Sequence, residues 1–163
     1  INSDTFETWK QNFLRTLEYN YKKAPFYNKV IKLLSDILTN NYCSISKMAT
    51  QSIYLTCDYL NIECQFNISG ELNIGNDLSG TERILEICLE VGATKYINPI
   101  GGVDLYSKDT FIQHGVDLSF IKSGDVVYKQ FSNEFVPWLS IIDVLMFNSP
   151  RSISEMLDNY ELI

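Results

Sequence analysis

The chain has 163 residues, the size of one ordinary domain, and its 45% hydrophobic and 20% charged content excludes a disordered or coiled-coil composition. A formal net charge of −7 and a pI near 4.6 argue against nucleic acid as the main partner, because phosphate recognition calls for a basic surface. No segment reaches the roughly 18 uninterrupted apolar residues of a membrane span, and no signal-peptide pattern is visible.

The first third reads as helix. Asp4 and Glu7 have capping-box spacing, and Phe6, Trp9, Phe13, Leu14 and Leu17 mark one apolar face. Pro25 breaks the run and can open the next helix, which carries Val30, Ile31, Leu33, Leu34, Ile37 and Leu38. A third helix is expected from about Ser44 to Leu60. "IECQFNIS" alternates like a strand, and "GELNIGNDLSG" is a loop. Ser79, with Glu82 three residues on, is expected to cap a helix that buries Ile84, Leu85, Ile87, Cys88 and Leu89 and stops at Gly92. "ATKYIN" is a second strand, and a short helix runs from about Lys108 to His114 and stops at Gly115. "VDLSFI" and "VVYKQF" read as two further strands joined by the turn "KSGD". A helix then begins behind Pro137 and stops near Asn148. Ser149 and Pro150 start a last helix through "SISEMLDNYELI".

The order predicts one domain of α/β class. Residues 1–61 are helical, 62–131 hold a βαβ-containing, mostly parallel or mixed sheet, and 132–163 are helical again. Four cysteines (Cys43, Cys57, Cys64 and Cys88) form no CxxC pair and stand beside a single histidine. They are expected to be reduced, buried thiols rather than metal ligands or disulfides, which suggests the cytoplasm.

The motifs of Rossmann oxidoreductases, P-loop NTPases, zincin proteases and α/β-hydrolases are all absent. The remaining signal is the position of two loops, "SGELNIGNDLSG" and "NPIGG". Each is expected to leave the carboxyl end of a strand, where open α/β sheets bind ligands. The helix start at Ser79 would favour an anion. Gly101 and Gly102 could expose backbone N–H groups, Asn98 could offer its amide to a hydroxyl, and Tyr96 and Tyr106 could stack on a sugar or base. Equally, Asn98-Pro99 could start a plain turn that Gly101–Gly102 closes.

Asp143, set among apolar neighbours in "SIIDVLMF", is a candidate acid or base. It could instead mark a helix's solvent side, or accept a hydrogen bond from Trp138 or a tyrosine. His114 is a second catalytic candidate, or a cation at a helix end. Arg83 could bind a carboxylate or phosphate, or form a surface ion pair. Tyr128 and Gln130 would share one face of a strand and could line a polar pocket. No cofactor is indicated.

"TERILEICLEVGATKYINPIGGVDLY", "VDLSFI", "YKQF" and "EFVPWLSIIDVLMFN", with "YKKAPFY" upstream, closely resemble the C-terminal part of the WbqC-like family. The residues that carry the match are Tyr96, Asn98, Pro99, Gly101, Gly102, Pro137, Trp138, Ser140, Asp143 and Asn148. The resemblance implies a bacterial protein encoded among genes for O-antigen and other surface polysaccharides of the lipopolysaccharide type. It suggests a transferase that moves an acyl or aminoacyl group to a nucleotide-linked amino sugar. The alternative is a non-catalytic binding or scaffold partner of such an enzyme. Expected partners are a nucleotide sugar or other small polar molecule, a partner enzyme, or a second copy of the chain. The resemblance also implies a further N-terminal portion, which this chain, opening on Ile1, would lack.

Overall fold

The computed structural model describes residues 3–39, 42, 44–75, 77–131 and 134–163, with side chains from residue 5 onward. Among them are seven α-helices and one three-stranded sheet. Any cap by Asp4 and any role of Cys43 lie outside the described side chains. The chain divides into two compact units: residues 1–63 with 126–158, and residues 64–125 with 159–163.

The first unit is helical. α1 (Ser3–Tyr21), α2 (Tyr27–Thr39), α3 (Ile45–Tyr59), α6 (Ile141–Phe147) and α7 (Pro150–Leu157) build it. α2 buries Val30, Leu33, Leu34, Ile37 and Leu38, a stripe of three- and four-residue steps that brings one helix face to the core. Leu17, Leu60, Leu145, Met146 and Ile153 complete that core. The N–H of Phe26 donates to the carbonyl of Met146 at 3.1 Å, tying the α1–α2 corner to α6. α1 enters the core only at its second half. The rings of Phe6, Trp9 and Phe13 stack on one another, and Trp9 remains 47% exposed.

Three helix boundaries follow from local chemistry. Ser44 caps α3 by accepting from the N–H of Lys47. Ser149 caps α7, with Pro150 in its first turn. α3 ends as Asn61 turns left-handed (φ 56°) and the N–H of Ile62 returns to the carbonyl of Cys57 at 2.8 Å, a Schellman closure. The helix expected from Pro137 begins later, at Ile141. Ser140 is its cap, and Trp138 at φ 61° holds the preceding turn.

The second unit packs α4 (Gly80–Glu90) and α5 (Lys108–Gln113) with the strands β1 (Lys95–Pro99), β2 (Asp117–Ser123) and β3 (Tyr160–Leu162), in the order β1-β2-β3. β1 and β2 are parallel, with Tyr96 opposite Leu118 and Asn98 opposite Phe120; β2 and β3 are antiparallel. The sheet is therefore mixed and contains a βαβ crossover through α5. Its core is Leu85, Cys88, Phe111, Val116, Leu118 and Phe120. Gly92 and Gly115, at φ 66° and 75°, end the two helices as expected.

Three expectations are corrected. "IECQFNIS" pairs with no strand among the described residues, so the βαβ unit is β1–α5–β2 and not the earlier one through α4. "VVYKQF" does not turn back as a hairpin. Instead Asn159 holds the chain beyond β2, accepting from the N–H of Gly124 at its carbonyl and donating to the carbonyl of Asp125 from its side chain. "NYELI" is a strand rather than helix. The open edge of β2 recruits it, with Phe120 and Ile163 exchanging two backbone hydrogen bonds of 2.9 Å each, and this pairing overrides the local helical pattern. α4 also buries less than its pattern implied, since Leu89 is 56% exposed.

No helix among the described residues is long and apolar enough to cross a membrane. Cys64 and Cys88 are free thiols, and Cys64 is exposed rather than buried. The hydroxyl of Tyr59 is buried without a hydrogen-bond partner among the described residues. Removing an unpaired polar atom relieves its desolvation, so Tyr59→Phe should leave stability unchanged or raise it by up to about 1 kcal/mol. A urea midpoint lowered by the variant would show that the hydroxyl has a partner.

Candidate functional site

The expected site residues gather in two clusters, one in each unit. The first lies where β1 ends. Tyr96, on the inward face of β1, stacks on Phe111 at 5.5 Å and 6°, and Tyr106 meets both rings edge-on. The Asn98 amide donates to the Tyr96 hydroxyl at 2.7 Å. The backbone then forms a 3₁₀ turn over Ile100–Gly102, closed when the N–H of Val103 reaches the carbonyl of Ile100 at 3.2 Å. Burial pushes the Tyr96 phenol above its ordinary pKa, and the Asn98 hydrogen bond opposes that shift.

The two glycines of this turn differ. A methyl group on Gly102 would collide with the Asn98 amide and sit 3.4 Å from Cδ2 of Tyr106, whereas one on Gly101 would meet nothing within 4 Å. Gly102 therefore lets Asn98 and Tyr106 close over the backbone. Gly101 lies on the exposed side.

The second cluster surrounds Asp143, which is 3% exposed. Its Oδ2 accepts from the Tyr128 hydroxyl at 2.6 Å and from Nε2 of Gln130 at 2.9 Å. The Tyr21 phenol, at the end of α1, stands beside the same carboxyl group. Gln130 also pairs with both backbone groups of Val136, giving a hydrogen to its carbonyl (3.1 Å) and accepting from its N–H (2.8 Å). Tyr128 packs edge-on against Phe135 at 5.1 Å. The Tyr21 phenol is pushed up to about 12, first by burial, then by its hydrogen bond to Asp143 and by the charge there. Burial, followed by the same two effects, raises Tyr128. Both phenols therefore stay protonated at neutral pH and serve as donors.

The expectation that Asp143 marks a solvent face is overturned by its burial. Tyr128 and Gln130 do converge, although not as neighbours on a strand. Trp138 has no part in that cluster and is 88% exposed. Tyr21 was missed, since no sequence spacing links position 21 to position 143.

The other expected residues stand apart. Arg83 forms no ion pair among the described residues; its guanidinium donates to the carbonyls of Gly75 (3.2 Å) and Ser69 (3.3 Å). Ser79 occupies the cap position of α4 without a side-chain cap bond, so the expected capping box does not form. His114 ends α5, and its Nδ1 donates to the carbonyl of Thr110 at 2.8 Å. No group of three or more potential metal-ligating side chains occurs among the described residues.

Comparison with known proteins adds one decisive match, a family model that covers residues 1–155. The chain belongs to the WbqC-like protein family. The match takes in essentially the whole chain, both units included. No curated protein and no solved structure matches this WbqC-like chain.

Two predictions follow from the packing of this WbqC-like protein. Gly102→Ala should destabilise it by about 1–3 kcal/mol, by forcing Asn98 and Tyr106 away from the turn. Gly101→Ala should shift stability by no more than about 1 kcal/mol, in the favourable direction. Equal chemical-denaturation midpoints for the two variants would contradict this account.

The second concerns alkaline pH. Tyr21 has a higher pKa in the folded than in the unfolded chain, so its contribution is fully present below pH about 10 and is lost as pH rises through about 12. Tyr128 acts in the same direction. Stability measured by urea titration should fall across that window, and less steeply in Tyr128→Phe. An unchanged slope in the variant would remove Tyr128 from the explanation.

Proposed function

We propose that this WbqC-like chain acts in bacterial surface-polysaccharide biosynthesis, of the O-antigen type, on a nucleotide-linked amino sugar. The reaction class we assign is transfer of an acyl or aminoacyl group to that sugar. The reading is supported by the resemblance of the "YINPIGG" and "PWLSIIDVLMFN" stretches to proteins of that setting. The observation that carries it is the turn after β1. There Asn98, two tyrosines and a 3₁₀ backbone turn meet at the carboxyl end of a strand in a parallel pair, the location at which α/β sheets recognise ligands. Asn98 and the phenols of Tyr96 and Tyr106 offer the donor and acceptor chemistry that a sugar's hydroxyl and amide groups require.

A second reading is favoured by one observation. Asp143 is the only buried charged residue among those described, and donors of its own unit already engage it. A protein whose one buried carboxyl group is used as an anchor suits a partner that presents a nucleotide sugar to a separate transferase.

Incubation of the pure full-length protein with nucleotide-linked amino sugars and acyl or aminoacyl donors, followed by mass spectrometry, separates the two. Turnover is expected, and Asn98→Ala should lower it about tenfold while the melting temperature stays within a few degrees. Undiminished turnover in Asn98→Ala would remove that residue from the site. Turnover that arises only when a co-encoded transferase is added would establish the second reading.

A further inference from the structure

A cleft of about 550 Å³ opens along the second half of α1, a volume typical of small-molecule sites. Arg15, Glu18, Tyr19 and Lys22 line it at three- and four-residue steps. Lys23, like Lys22, lies just beyond the helix, and Phe131 reaches the cleft from the segment that follows Gln130. The lining holds three cationic side chains against one carboxylate, in a chain whose net charge is −7. The carboxylate, Glu18, is engaged by Lys22 at 3.0 Å. Arg15 and Lys23 enter no ion pair among the described residues.

Two aromatic rings share this cleft. Tyr19 is 90% exposed and Phe131 is 55% exposed. Phe131 nevertheless has a fixed seat, because Phe147 packs edge-on against it at 4.8 Å and 82°, and Tyr21 in turn meets Phe147. The end of a helix favours cations through its dipole, which accounts for Lys22 and Lys23. It does not account for Arg15 two turns earlier, or for the aromatic walls. A simple inorganic anion would use the cations and leave the rings idle. A neutral sugar would use the rings and leave the cations idle. A flat base joined to two phosphates uses both.

We infer that this cleft binds a nucleoside diphosphate. The inference rests on the reading of the chain as a binder of a nucleotide-linked sugar, and it assigns the nucleotide alone. Phosphate oxygens pair with Arg15 and Lys23, and the base lies against Tyr19 or Phe131.

Titration calorimetry of the full-length protein with uridine, thymidine and guanosine diphosphates, without sugar or acyl donor, tests the cleft separately from any reaction. At least one diphosphate should bind, more weakly as salt rises. The double variant Arg15→Gln/Lys23→Gln should weaken it about tenfold or more, and Phe131→Ala severalfold. Lys32→Gln, which changes a cation paired with Asp36 elsewhere, should stay within about twofold. Failure of all three diphosphates to bind, or binding that the double variant leaves unchanged, overturns the inference. A diphosphate that binds through Arg15 and Lys23 in a protein with no turnover upholds the cleft and removes the catalytic reading. Turnover with diphosphate affinity unaltered by the double variant does the reverse.

Discussion

The helical unit depends on one buried carboxyl group. Burying Asp143 would be strongly unfavourable in an apolar core unless hydrogen-bond donors surrounded it. Tyr128 and Gln130, ahead of α6, supply two of them, and the Tyr21 phenol at the end of α1 stands beside the same carboxyl group. Gln130 then ties its own position to Val136 through both of that residue's backbone groups. The same constraint seats the aromatic chain Tyr21–Phe147–Phe131, so a ring that faces the cleft is placed by a network buried below it.

The β unit relies on fit rather than charge. Tyr96, Tyr106 and Phe111 interlock, and the absence of a side chain on Gly102 lets the Asn98 amide reach over the turn. The turn is thus rigid and polar at the same point. Preorganised donors lose little entropy when a ligand arrives, which is why polar groups on a locked turn suit recognition better than the same groups on a loose one.

Much of this fold could be read from sequence where the signal was local. The α2 stripe, the cap at Ser149, and the stops at Gly92 and Gly115 depend on residues within one or two turns of each other. The errors came where a distant partner decided the outcome. "IECQFNIS" alternates like a strand but finds no neighbour, while "NYELI" reads as helix and is claimed by β2. In the candidate site, Tyr96, Asn98 and Gly102 could be found together because they are adjacent in the chain. Tyr128 and Gln130 were paired for a reason the structure does not use, and Tyr21 left no trace because only tertiary packing brings it to Asp143.

The pairing of β2 with β3 sets an order of events during synthesis. β2 ends at Ser123 and its antiparallel partner begins at Tyr160, so the ribosome makes the whole 126–158 stretch between them. Until Tyr160–Ile163 emerge, β2 presents an uncapped edge, open to the cross-strand pairing that drives aggregation. The α6–α7 helices can meet α1–α3 in that interval. The nascent chain is therefore expected to complete its helical unit before its sheet, although residues 64–125 of the sheet unit are translated ahead of α6 and α7.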